Sequence, residues 1–169
     1  WDRALSQEEI REQMHLVKYP TDAPNLVAYY QFNREEGVAT DRVGILHMNL
    51  NGAATRVPST APFGPGASHR QDITESGIYN FDDTGLALSF GNNTPYPDGE
   101  VVATRIDLQP DQSPATEGNA PSYWVLHSFG NSTFAQPEWL NLEGIGIVDP
   151  AQATSPEGIH LYRRPATAD

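Results

Sequence analysis

The sequence predicts an all-β chain, an antiparallel β-sandwich or jelly-roll-like domain with one short N-terminal α-helix. Its 14 Gly and 14 Pro are scattered through 169 residues, which favours many short strands joined by turns. Short apolar or alternating segments recur from about residue 76 to about residue 164 at a spacing typical of sandwiches. No helical pattern connects these segments, so neighbouring strands are expected to be mainly antiparallel.

The segment from Tyr123 to Phe129 is the strongest strand signal in the chain. It consists almost entirely of β-formers and lies between Pro121 and Gly130. Large apolar side chains point to both of its faces, which predicts a central strand covered on both sides. Trp124, inside this strand, is therefore predicted to lie in the core.

The N-terminal part begins with a helix signal. Ser6 and Glu9 have the spacing of a capping box, so a helix is expected over residues 7–15. Residues 26–32 are predicted to form a strand. Residues 47–57 are predicted to form a hairpin, because Asn51-Gly52 suits a type I′ turn.

Residues 58–66 are rich in Pro, Gly and Ser and are interpreted as a linker. The chain is therefore divided into an N-terminal unit of residues 1–66 and a β-sandwich module of residues 67–169. The strands predicted for the module are 77–81, 86–90, 100–108, 123–129, 139–148 and 159–163.

The composition limits the partners. The chain has 10 Lys and Arg against 22 Asp and Glu, a net charge of −12, which argues against nucleic acid and anionic membrane surfaces. No apolar run is long enough for membrane insertion. Cysteine is absent, which excludes disulfides, thiol catalysis and cysteine-based zinc sites. The chain starts at Trp1, so it is expected to be a piece of a longer polypeptide.

Two stretches resemble a known family. Trp1 to Ile10 (WDRALSQEEI) is similar to the closing strand and helix of laminin-G-like, concanavalin A-like jelly rolls, and Leu26 to Asn33 (LVAYYQFN) resembles the segment that follows it. Tyr123 to Thr133 and Ile159 to Arg164 resemble β-sandwich modules of large Bacteroidetes surface proteins exported by type IX secretion. The resemblance implies an extracellular, cell-surface location.

The resemblance has a clear limit. Residues 1–57 are too few for a complete laminin-G-like jelly roll. Either the domain to which Trp1 belongs lies upstream, or these residues pack on the second unit. The calcium ligands of the family belong to the missing part, so none is transferred to this chain.

No cofactor is predicted, with calcium as the one metal alternative. The five His form no H-x-x-x-H pair, which excludes a zincin site by spacing, and His127 is interpreted as a hydrogen-bonded core or edge residue. Calcium takes carboxylate and carbonyl oxygens, and two acidic turns could converge at one end of a sandwich. The candidate ligands are Asp82, Asp83, Asp98 and Glu100, with ordinary Asp turns as the alternative.

Catalysis is not expected. The chain lacks the alternating carboxylates of concanavalin-like glycosidases and a G-x-S-x-G elbow. Sugar binding is the alternative function, since aromatic rings and amides in loops can stack on and hydrogen-bond to pyranoses. The candidates are Trp139, Tyr96, Asn92 and Asn131.

The predicted function is a non-catalytic structural or adhesive module of a large secreted bacterial cell-surface or filament protein. Its expected partners are neighbouring domains or copies of the same protein. The alternative is a carbohydrate-binding module attached to an enzyme or adhesin, with glycans as partners.

Overall fold

A computed structural model describes residues 1–34, 37–92, 95–110, 121–132, 137, 139–142, 161 and 163. The described part holds one α-helix, two 3-10 helices and six strands. In chain order these are α1 (Gln7–Gln13), a 3-10 helix (Pro20–Asp22), β1 (Gly66–Ile73), β2 (Gly77–Asn80), a 3-10 helix (Asp82–Thr84), β3 (Leu86–Phe90), β4 (Gly99–Ile106), β5 (Tyr123–Ser128) and β6 (Trp139–Leu142).

The strands form two three-stranded antiparallel sheets. The first sheet has the order β1-β4-β5 and the second the order β2-β3-β6. This arrangement confirms the all-β antiparallel prediction with one short helix.

One core joins the two sheets. The first sheet contributes Ile73, Val101 and Ala103, and the second contributes Leu88 and Phe90, all of them buried. Trp124 and Leu126 from β5 pack against this cluster while remaining half-buried. The core therefore lies between the inner faces of the sheets, as in a sandwich.

Residues 123–129 are predicted to form a central strand, whereas within the described residues β5 pairs only with β4 and lies at the edge of the first sheet. Strand β4 pairs on both sides and is nearly all buried. The apolar groups on the second face of β5 have another cause. The N-terminal segment contacts that outer face, so two-sided burial does not require a central position.

Strand β1 was not predicted. Its sequence, GASHRQDI, is mostly polar and carries no apolar alternation, so no strand is predicted between the linker of residues 58–66 and the strand at 77–81. The strand forms because β4 pairs with it along its full length, from Gly66 opposite Ile106 to Ile73 opposite Gly99.

Helix α1 confirms the capping box, since both reciprocal bonds between Ser6 and Glu9 are present. The helix ends at Gln13 rather than at residue 15. Ile10 in the helix and Met14 at its C-cap are both exposed. The side of the helix that faces the first sheet is polar instead, and Arg11 on that side forms an ion pair with Glu100 at 2.9 Å.

The strand predicted at 26–32 and the hairpin predicted at 47–57 are wrong. Residues 26–32 make only an isolated bridge between Tyr30 and Asp41, and Met48 bridges to Ala39 instead of pairing across the Asn-Gly turn. A carboxylate explains the first difference, because Asp41 Oδ1 accepts the Tyr29 amide at 3.0 Å and removes a donor that a strand ladder needs.

The N-terminal segment packs on the outer face of the first sheet. This contact agrees with the second alternative given above, in which residues 1–57 pack on the second unit. Arg11 pairs with Glu100, and Leu16 forms a parallel bridge with Gly64 beside the sheet. On the same sheet face, Val102 and Thr104 are 1% exposed. The proposed division into residues 1–66 and 67–169 stays a prediction.

Candidate functional site

Two loops that carry sugar-site candidates meet at one end of the first sheet. The Asn131 amide donates to the Asp98 carbonyl at 2.9 Å, and the Ser132 amide donates to the Pro97 carbonyl at 3.1 Å. A methyl group on Gly130 would lie 2.2 Å from the Pro97 carbonyl oxygen, so the loops approach too closely for a side chain there. Residues 95–98 and 129–132 are therefore in direct backbone contact.

The four sugar candidates are only partly brought together. Asn131 is exposed beside Asp98, whereas half-buried Tyr96 packs against the core. Asn92 lies in the same connection as Tyr96, and its side-chain oxygen accepts the Ser76 hydroxyl at 2.7 Å. Trp139 begins β6 and pairs with Ser89 through the backbone, and its side chain lies outside the described residues.

The calcium candidates lie along the sheet rather than at one end of it. Asp82 is 3.3 Å from His69 in the middle of β1, and the Asp83 carbonyl accepts Arg105 near the last residue of β4. Asp98 and Glu100 lie at the opposite end of β4.

The charge of Glu100 is already compensated. Its carboxylate is 2.9 Å from Arg11 and 3.5 Å from Arg70, so two guanidinium groups occupy the positions that a cation would take. Within the described ranges no group of three or more His, Asp or Glu could hold a metal ion. Calcium binding by these residues stays a prediction, and this geometry gives it no support.

A polar cluster that the sequence did not predict joins the N-terminal segment to the first sheet. Its members all lie between α1 and the outer sheet face. They are Arg11, Glu12, His15, Arg70, Glu100 and His127. We call these six residues the interface cluster. Arg11 also lies 4.0 Å above the ring of Phe129, where a cation is attracted by the aromatic face.

His15 and His127 form the central contact of the interface cluster. Their Nε2 atoms are 2.8 Å apart and their rings are nearly parallel. His15 Nδ1 lies 2.7 Å from the Pro62 carbonyl, which can only accept, so this nitrogen carries a proton. In the neutral pair His15 Nε2 is then the acceptor, and His127 Nε2–H is the donor.

The environment of His127 opposes its charging. Burial lowers the pKa of His127 below its ordinary value of 6.5, and the neighbouring His15 lowers it further. The sequence assigned His127 to a hydrogen-bonded core or edge position. It missed the partner, because His15 is 112 residues away and no local spacing relates the two.

A second unassigned feature is the apolar surface of the N-terminal segment. Thirteen of the seventeen large hydrophobic side chains that are exposed within the described residues belong to residues 1–63. Ile45 and Val57 are the extreme cases, at 88% and 80% exposure. Exposed apolar side chains form a contact surface where they lie together as one patch.

The loop that presents Ile45 is ordered by a carboxylate rather than by a core. Asp41 is 4% exposed and accepts four backbone amides, those of Tyr29, Val43, Gly44 and Leu46. These hydrogen bonds lower the pKa of Asp41.

Comparisons with known proteins found no matching family model, no similar curated protein and no similar solved structure. Among the described residues, no helix has the length and apolar character that crossing a bilayer requires.

Proposed function

We propose that this chain is a non-catalytic structural or adhesive module of a large secreted bacterial cell-surface protein, and that it assembles with copies of itself or with neighbouring domains. The observation that carries the proposal is the concentration of exposed apolar side chains in residues 1–63. The resemblance of Trp1 to Ile10 to the closing part of laminin-G-like jelly rolls supports the same conclusion, since that part packs on further strands.

The physical argument rests on where the apolar area lies. Burying apolar surface contributes about 25 cal/mol for each Å² removed from water. Ile45 and Val57 gain almost none of this free energy of burial within the chain, whereas the sheet residues Leu88 and Val101 are fully buried. A contact surface gains most from side chains that the fold leaves uncovered.

Sedimentation of the purified chain tests the assembly. We expect the wild-type chain to form dimers or larger species over about 1 to about 100 μM, a range suited to modest interfaces. The double variant Ile45→Glu, Val57→Glu should weaken this association by at least about tenfold. Both side chains are exposed, so the variant retains the fold.

Ile78→Glu is the matched control, because Ile78 is 61% exposed on β2, away from the N-terminal segment. It should leave the association unchanged. A wild-type chain that sediments as a monomer throughout this range, or an equal loss in the control, contradicts self-assembly.

Carbohydrate binding is the second candidate, supported by the junction of loops 95–98 and 129–132. The backbone of exposed Asn131 is bonded to that of half-buried Asp98, and an amide and a carboxylate are groups that sugar hydroxyls can bind. A glycan array tests this candidate. Binding that Asn131→Ala removes supports it, whereas a blank array for the wild-type chain rejects it.

A further inference from the structure

The interface cluster adds ionisable groups to the contact between the N-terminal segment and the sheet, beside the buried outer-face residues Val102 and Ile106. Helix α1 directs Arg11 and Glu12 at the sheet while Ile10 is exposed. Such an interface depends on the protonation of its members in a way that an apolar interface does not.

We propose that the contact between His15 and His127 is a pH-sensitive attachment of the N-terminal segment to the first sheet. With both rings neutral the contact is closed, because His127 Nε2–H donates to His15 Nε2 at 2.8 Å. With one proton added the contact can also close, since either ring can donate to the other. With both rings protonated, two N–H groups face each other and the contact opens.

The surroundings determine which protonation states are tolerated. The charged groups of the interface around the pair are Glu8, Arg11 and Glu12 from α1, Lys18 after it, Arg70 from β1 and Glu100 from β4. Three cations and three carboxylates cancel within this set. The second imidazolium therefore has no unpaired carboxylate in the cluster to stabilise it.

The sign of the effect follows from the protons bound in each state. His127 binds its proton less tightly in the closed contact than in the open one, because burial opposes the charge. The closed state is then fully favoured above about pH 6.5 and loses stability as the pH falls below that value. The ion pair between Arg11 and Glu100 does not depend on the histidine pair, so the opening that we propose involves residues 15–17 and 62–64.

Hydrogen exchange of two backbone amides reports this opening directly. Val17 donates to the Gly64 carbonyl and Gly64 donates to the His15 carbonyl, so both amides are protected only while this part of the segment is closed. A protection factor is the intrinsic exchange rate divided by the measured rate at the same pH, so it no longer contains the pH dependence of the exchange chemistry. Between about pH 7.5 and about pH 5, protection of these amides should fall roughly tenfold for each unit by which closing lowers the pKa of His127.

The variant His127→Gln separates titration from hydrogen bonding. Its amide can donate to neutral His15 or, after rotation, accept from protonated His15, so protection should become independent of pH. His69→Gln is the matched control, because His69 lies on the inner face of the same sheet beside Asp82. It should keep the pH dependence of the wild-type chain.

Three results would overturn the proposal. The first is constant protection of Val17 and Gly64 in the wild-type chain over this pH range. The second is an unchanged pH dependence in His127→Gln. The third is loss of protection at about pH 7.5 in His127→Gln. That result would show that a hydrogen-bond donor in the position of His127 Nε2 does not close the contact.

Discussion

Replacement of Trp124 tests how the two sheets are joined. Trp124 packs against the shared core from β5, and its Nε1–H donates to the Thr84 carbonyl at 2.8 Å. Thr84 belongs to the 3-10 helix that leads into β3, so one side chain connects the first sheet to the second. Trp124→Ala removes both the apolar contact and this hydrogen bond.

The expected cost follows from the burial. Truncating a buried Trp to Ala costs about 3–5 kcal/mol. Trp124 is half-buried, so we expect a loss of about 3 kcal/mol, of which the hydrogen bond contributes about 1 kcal/mol. Trp124→Phe keeps a six-membered ring but loses the N–H donor and the pyrrole part of the indole, so it should cost about 1–2 kcal/mol.

Urea denaturation followed by far-UV circular dichroism measures both losses without relying on Trp fluorescence. Ile78→Ala, at a position 61% exposed, is the control and should change stability by less than about 0.5 kcal/mol. A loss below about 1 kcal/mol for Trp124→Ala would refute the assignment of Trp124 to the contact between the sheets. Equal losses for the Ala and Phe variants would show that the ring itself contributes nothing.

Three further changes test other parts of the structure. Leu88→Ala empties a fully buried position in β3 and should cost about 2–5 kcal/mol in urea denaturation. Gly130→Ala places a methyl group 2.2 Å from the Pro97 carbonyl and should lower Tm more than Gly77→Ala, whose methyl group would meet only the Tyr79 ring at 3.5 Å. Asp41 has a lowered pKa, so its stabilisation is present above its ordinary pKa of 3.8 and is lost as the pH falls through the lowered value. Asp41→Asn should lower the denaturation midpoint at neutral pH and reduce this acid dependence, and unchanged midpoints would contradict the role assigned to the carboxylate.

The sequence predicted the elements whose signals are local. Residues 86–90 were assigned correctly because apolar side chains alternate with small ones there and Gly85 supplies a left-handed turn before them. The capping box was predictable because Ser6 and Glu9 satisfy each other within one helical turn.

The elements that were missed depend on distant partners. Strand β1 is polar, and its position is determined by pairing with β4, about thirty residues further along the chain. Residues 26–32 have strand composition, yet the Asp41 carboxylate takes the Tyr29 amide. The interface cluster combines residues from α1, β1, β4 and β5, and no spacing rule within one segment brings His15 to His127.

The Asp41 loop has a consequence for how the N-terminal segment can be used. A peptide held by four amides around one acid does not need its aliphatic residues to keep its shape. Ile45 and Leu46 are exposed, so their side chains can be replaced without loss of these hydrogen bonds. Under the proposed function, selection could then change the partner preference of this segment while leaving its backbone unaltered.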